Sequence, residues 1–205
     1  MHEDGGVDLG TVVASSWSAG ISLYGVLAVL GIAGRLEWIQ APTLLQQTWF
    51  IAAALVLFVV ELVVDKIAVV DSVWDAVHTV LRPVGGALIG GLAPGQEVPL
   101  PVLLGLGAVL ALSSHSAKAS VRAMVNASPE PISNVIVSTL EDGLVGLVMA
   151  LAIAYPKAAF VVTAVLAVAS SVVAVVLFRT ARATWRRLRR RFGRSADPGP
   201  APSTG

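Results

Sequence analysis

The chain has 205 residues, 56% of them hydrophobic and 13% charged, against about 25% charged in an ordinary soluble domain. With a mean hydropathy of +0.80, a soluble fold of this size could not bury its apolar surface, so lipid must solvate part of it. The lack of cysteine excludes disulfides, thiolate metal sites and cysteine nucleophiles. The net charge of +1 conceals an acidic body and a cationic end: residues 1–178 hold six basic and twelve acidic side chains, residues 179–194 eight arginines and no acid.

In chain order, residues 1–11 form a polar, acidic segment without the positive start of a secretory signal, and the apolar run that follows reads as a retained helix. Six apolar segments then make up a transmembrane region over 12–178. They are Val12 to Ala33, Thr48 to Val64, Trp74 to Leu92, Leu100 to Ser114, Ile132 to Tyr155 and Ala158 to Phe178. The first, fifth and sixth meet the roughly 20 residues needed to span a hydrocarbon core; the others are short or interrupted. Pro94-Gly95, Pro99 to Pro101, Ser128-Pro129-Glu130-Pro131 and Pro156 carry turn chemistry between segments. The expected fold class is therefore all-α: a polytopic membrane bundle of about six helices.

Six crossings would put both termini on one side. That side collects Lys66, Lys118, Arg122 and the tail arginines, whereas the other has Arg35 and Lys157, so both termini are expected in the cytoplasm of a bacterial-type inner membrane. Trp38, Trp49, Tyr155 and Trp74 fall near the expected interfaces, as an aromatic belt would.

Residues 179–194 read as a basic amphipathic juxtamembrane helix, with Ala181, Trp185, Leu188 and Phe192 on one face and arginines such as Arg186 and Arg187 around it. Anionic lipid headgroups are the expected partner; nucleic acid is the weaker alternative, and a plain stop signal needs no ligand at all. Residues 195–205 have the composition of a disordered tail.

Ionisable residues at membrane depth are costly and face an interior or a cavity. Two stretches carry them. One runs from Glu61 through Asp65, Lys66, Asp71, Asp75 and His78 to Arg82. The other runs from His115 through Lys118, Arg122, Asn126, Glu130 and Asn134 to Glu141 and Asp142. Aligning Asp71 with Glu130 sets Asp75 against Asn134 and Arg82 against Glu141, a pattern compatible with an internal parallel repeat. Equal depth then predicts that Arg82 pairs with Glu141 or Asp142. Glu61 and Asp65, like Asp71 and Asp75, are four apart and share a helix face; Glu61, Asp71 and Asp75 could hold a hard cation such as Mg²⁺, or simply form hydrated, lysine-paired surface. No phosphate-binding loop, zinc-protease motif or nucleophile elbow occurs.

These residues carry a resemblance. Ser18-Ala-Gly20 with Leu23-Tyr24, Asp65-Lys66, Asp71-Ser-x-Trp-Asp75-x-x-His78, Arg82-Pro83, Ser114-His115-x-Ala-Lys118-Ala and Asn126-x-Ser-Pro-Glu-Pro131-x-Ser-Asn134 with Glu141-Asp142 resemble a bacterial multi-pass membrane family known as domain of unknown function 4126. The resemblance covers about residues 15 to 178 and implies a membrane protein without an assigned reaction. On the residues themselves, a small transporter or channel for an ion or small polar solute is the leading expectation. Its pathway would run over Asp65, Lys66, Asp71, Asp75, His78, Arg82, His115, Lys118, Arg122, Glu130, Asn134, Glu141 and Asp142. A Mg²⁺-dependent enzyme acting on a lipid phosphate and a non-catalytic accessory or lipid-handling subunit are the alternatives, and a homo-oligomer is compatible with each.

Overall fold

A computed structural model describes residues 7–93, 98–125 and 131–194. Among them the chain forms seven α-helices and no strand: α1 (Leu9–Ala19), α2 (Leu23–Arg35), α3 (Thr48–Val64), α4 (Ala68–Gly90), α5 (Leu100–Val125), α6 (Pro131–Ala154) and α7 (Pro156–Arg194). Leu100–Val125, Ile132–Ala154 and Pro156–Thr180 are long and apolar enough to cross a bilayer, and α2 and α3 are shorter apolar helices. The outward faces of α3, α6 and α7 are rows of exposed Val, Leu, Ile and Phe, surface that lipid, not water, can solvate. The protein is an all-helical integral membrane protein.

The first apolar segment is not one crossing. It breaks at Gly20–Ser22 into α1 and α2. α1 is capped by Asp8, whose carboxylate accepts from Gly10 N at 2.8 Å. Every residue from Gly10 to Ala19 is buried, with α4, α5, α6 and α7 packed around the helix. Small residues and serines suit that position, because they let four neighbours approach closely. α1 starts against the α6–α7 turn, where Thr11 Oγ1 donates to the Ala152 carbonyl at 2.8 Å. It ends against the middle of α5, where Ser114 Oγ donates to the Trp17 carbonyl at 2.5 Å. Gly20 is required there: a Cβ would overlap the Ala111 carbonyl. Ser22 is extended, and α2 then runs back antiparallel to α3, with Gly25 on Phe58 and Gly31 on Ile51. At 11 residues, about 16 Å, α1 cannot cross a bilayer. α1 and α2 form a re-entrant helical hairpin whose turn lies inside the bundle.

This changes the topology. α1 starts at the bundle end that holds the α4–α5 and α6–α7 connections, whereas α7 passes Ser116 and Ser120 of α5 with its residues 174–182 and ends beyond them, at the end with Lys66, Lys118 and Arg122. The start of α1 and the end of α7 thus lie at opposite ends, not at one end as six crossings required. Basic-residue counting could not detect this, because no lysine or arginine precedes Arg35.

α4 and α5 pack antiparallel and carry the polar residues on one inward face each. Asp71, Asp75, His78, Arg82, Gly86 and Ile89 follow each other at three- and four-residue steps on α4, as do Leu103, Gly107, Leu110, Ser114, Lys118 and Arg122 on α5, and all twelve are buried. In the half nearer the α4–α5 connection the seam is glycine on backbone: a Cβ on Gly107 would overlap the Gly86 carbonyl. In the other half the seam is charged. α4 starts at Ala68 and α5 continues to Val125, both well past the apolar limits expected at Trp74 and Ser114. α7 continues as one helix of 39 residues, so the expected juxtamembrane helix over 179–194 is its unbroken extension. Arg186 is exposed there, while the side chains of Trp185, Arg187, Leu188 and Phe192, and residues 195–205, lie outside the described residues.

Candidate functional site

The turn of the re-entrant hairpin meets two linked ion-pair clusters. The first centres on Arg82, which has no solvent exposure. Its guanidinium donates to Glu61 Oε1 on α3 and to Asp75 Oδ1 on α4, each at 2.9 Å. A third bond runs to His115 Nδ1 on α5, also at 2.9 Å. A guanidinium can only donate, so His115 Nδ1 accepts and the ring is held in its neutral Nε2–H form. That Nε2–H then meets Thr79 Oγ1 at 3.2 Å, and the threonine donates to the Asp75 carbonyl at 2.9 Å. His78 is held by the same logic in the other tautomer. Its Nδ1 donates to the Trp74 carbonyl at 2.8 Å and its Nε2 faces the Tyr24 hydroxyl at 3.2 Å, with the ring stacked on Trp74.

The second cluster lies one turn nearer the basic end. Lys118 Nζ bridges Asp65 Oδ2 at 2.6 Å and the Ile21 carbonyl at 3.1 Å. Arg122 takes Glu141 Oε2 at 2.9 Å, Asn134 Oδ1 at 2.7 Å and the Asp65 carbonyl at 2.6 Å. Asp65 and Asp71 carboxylates lie 3.6 and 3.8 Å from the same guanidinium. Asn134 also donates to the Asp65 carbonyl at 3.3 Å. Lys66 sits at the exposed rim, on the Leu62 carbonyl at 2.9 Å.

The hairpin turn joins the clusters. At the C-terminal end of α1, where the helix dipole is negative, Lys118 takes the Ile21 carbonyl; at the N-terminal end of α2 the Ser22 hydroxyl donates to Glu61 Oε2 at 2.7 Å. Each half-helix end thus meets the charge its dipole favours. Beside the turn, α2, α3 and α6 line a half-open, mainly apolar recess of about 130 Å³, room for a few waters. Ser22, Gly25 and Asp142 line it, with apolar side chains such as Phe58 and Met149. Among the described residues Asp142 is the one charged residue on that lining.

Most of the expected site residues therefore converge, but the pairing differs from expectation. Arg82 pairs with Glu61 and Asp75, and Glu141 pairs with Arg122. Arg82 and Glu141 do not lie at equal depth, because α4 begins earlier than its apolar stretch. Arg82 lies fourteen residues past Ala68 and Glu141 ten past Pro131, which places the arginine about 6 Å deeper. The repeat partners Arg82 and Glu141 accordingly sit in different clusters. Glu61, Asp71 and Asp75 do not share one site: two face Arg82 and Asp71 faces Arg122. Among the described residues no three histidine, aspartate or glutamate side chains come together as a metal set. Glu130 lies outside the described residues. Ser22, Tyr24, Thr79 and Ser114 belong to the site and were not singled out as site residues from sequence, although Ser22 and Ser114 stand as small polar residues in apolar runs.

The charge balance is uneven. Four buried carboxylates (Glu61, Asp65, Asp71 and Asp75) and two partly buried ones (Glu141 and Asp142) surround three buried cations, Arg82, Lys118 and Arg122, with Lys66 at the rim. Asp65 Oδ1 and Ser18 Oγ are buried without a hydrogen-bond partner among the described residues, a costly arrangement unless a water or cation meets them.

No curated protein and no solved structure matches the chain. Residues 9–176 match the family model described as Domain of unknown function (DUF4126), which reaches across the re-entrant hairpin and both charge clusters, and the chain belongs to that family.

Proposed function

We propose that the protein moves a small cation across a bacterial-type cytoplasmic membrane, using the hairpin turn and the Asp142 cavity as its binding site. The carrying observation is the surplus of carboxylate around a broken helix: four buried and two partly buried acids against three buried cations and Lys66 at the rim. Discontinuous helices at mid-membrane are how transporters present backbone and dipole ends to a substrate, and ionisable groups at that depth are functional by default. A monovalent cation or a proton would offset the unmatched acid. Ser22, which lines the cavity and bonds Glu61, provides a polar step from Asp142 to the Arg82 cluster. The concentration of lysines and arginines at one end supports a cytoplasmic position for Lys66, Arg122 and the end of α7, with the start of α1 outside.

The test is flux. Purified protein in proteoliposomes should carry Na⁺, K⁺ or H⁺ down an imposed gradient, read with radiotracer or an internal pH dye. Asp142→Asn should abolish that flux, and Lys157→Gln, at the far end, should leave it unchanged. Failure of all three cations to move, or equal flux in Asp142→Asn, would remove the proposal.

A further inference from the structure

A second recessed surface lies at the basic end, between α5 and α7, and has no part in the ion-pair clusters. It is a shallow, open groove of about 410 Å³, with room for a headgroup and the start of an acyl chain. Its apolar side is formed by Ala174, Val175 and Phe178 of α7. Its rim is cationic and hydroxylic, with Arg179 and Arg182 three residues apart on α7 and Ser116 and Ser120 four apart on α5. At those spacings each pair shares a helix face. Both arginines are exposed and neither forms an ion pair among the described residues; α7 itself contains no acidic residue. Ser120 donates to the Ser116 carbonyl at 2.7 Å, so its oxygen is an acceptor only. The Ser116 hydroxyl makes no hydrogen bond among the described residues and is the donor the groove offers.

The position selects the ligand class. Phe178 ends the apolar, outward-facing run of α7 and Arg179 begins the cationic one, which puts the groove where acyl chain gives way to headgroup. We propose that this groove binds one anionic phospholipid. Its phosphate would lie between Arg179, Arg182 and the Ser116 hydroxyl, with its proximal acyl chain on Val175 and Phe178. Arginine forks suit phosphate oxygens, and two of them match a single negative headgroup better than a zwitterion. The groove also lies on the outer side of the stretch of α5 that carries Lys118 and Arg122 inward, so an occupied lipid would brace the helix holding the second cluster. The inference stands apart from the transport reading and needs no flux to test it.

The experiment is native mass spectrometry of the full chain in neutral detergent, titrated with phosphatidylglycerol or phosphatidylcholine. One phosphatidylglycerol should bind in preference to phosphatidylcholine. The double variant Arg179→Gln/Arg182→Gln should weaken that first binding about thirtyfold. Ala174→Trp, which fills the groove and leaves every charge in place, should weaken it comparably; if that variant does not fold, Ser116→Leu obstructs the groove from the α5 side. Arg186→Gln/Arg187→Gln, beyond the groove on the segment expected to face anionic lipid, should weaken the first binding event less than the Arg179/Arg182 pair does. Equal binding of the two lipids would overturn the site. So would an equal loss in the Arg186/Arg187 pair, which would mark diffuse attraction to the basic tail. If inorganic phosphate displaces the lipid as well as soluble phosphatidylglycerol does, the groove is a small-anion site and the lipid assignment fails.

Discussion

Arg82 and Arg122 are both buried guanidiniums on inward helix faces, yet they are held differently. Arg82 has its carboxylate partners, Glu61 and Asp75, on two helices that meet at the hairpin turn, and Glu61 is itself fixed by Ser22. Arg122 shares its acids with Lys118, bonds a backbone carbonyl and an amide, and reaches Glu141, which is 15% exposed. One charge is locked deep in the bundle by few partners; the other is spread over many near its basic end. Depth raises the cost of an orphaned charge, and multiplicity lowers the cost of losing any one partner. The deep cluster is thus the rigid element, and the shallow one can exchange partners and water.

Removing Arg82 should have the largest effect. Arg82→Ala leaves Glu61 and Asp75 uncompensated and should destabilise the protein by about 3 to 5 kcal/mol, read as loss of the thermal transition in detergent. Adding Glu61→Gln should recover part of that loss, because it removes one orphaned carboxylate. Arg122→Ala should cost less, about 2 to 3 kcal/mol, since Lys118 still meets Asp65, and Glu141→Gln about 1 kcal/mol. If Arg122→Ala proves the more damaging substitution, the contrast of depth and multiplicity is wrong. Gly107→Ala should cost about 1 to 3 kcal/mol, because the added methyl overlaps the Gly86 carbonyl and forces α4 from α5. It should also lower Arg82-dependent stability more than Arg122-dependent stability in a double-mutant cycle, since His115 reaches Arg82 only across that seam. Gly143→Ala should change stability by less than about 1 kcal/mol and in the stabilising direction, because nothing lies near its Cβ position and alanine favours helix.

Composition and periodicity made much of this legible. The membrane class, the helical segments, and the inward faces of α4 and α5 follow from apolar runs and from polar residues at three- and four-residue steps. Pairing was not legible, because which carboxylate meets which guanidinium depends on where each helix starts; α4 and α5 extend through polar sequence that no apolar window includes. The hairpin is hidden in the sequence for a related reason. Val12 to Ala33 has the length of one crossing, and the break is written only in Ser18-Ala-Gly20-Ile-Ser22, a small polar cluster that also occurs in continuous membrane helices. Its meaning comes from four neighbouring helices closing around α1, a tertiary fact.

The re-entrant hairpin decides the topology, and cysteine labelling tests it most directly, against a background free of native cysteine. Single substitutions Asp8→Cys, at the start of α1, Gln47→Cys, before α3, and Lys66→Cys, between α3 and α4, can each be exposed to a membrane-impermeant maleimide in intact cells. Asp8→Cys and Gln47→Cys should react from outside, and Lys66→Cys only after the membrane is permeabilised. Labelling of Asp8→Cys together with Lys66→Cys, and apart from Gln47→Cys, would mean that the first segment crosses once and that no hairpin turn reaches the charged centre.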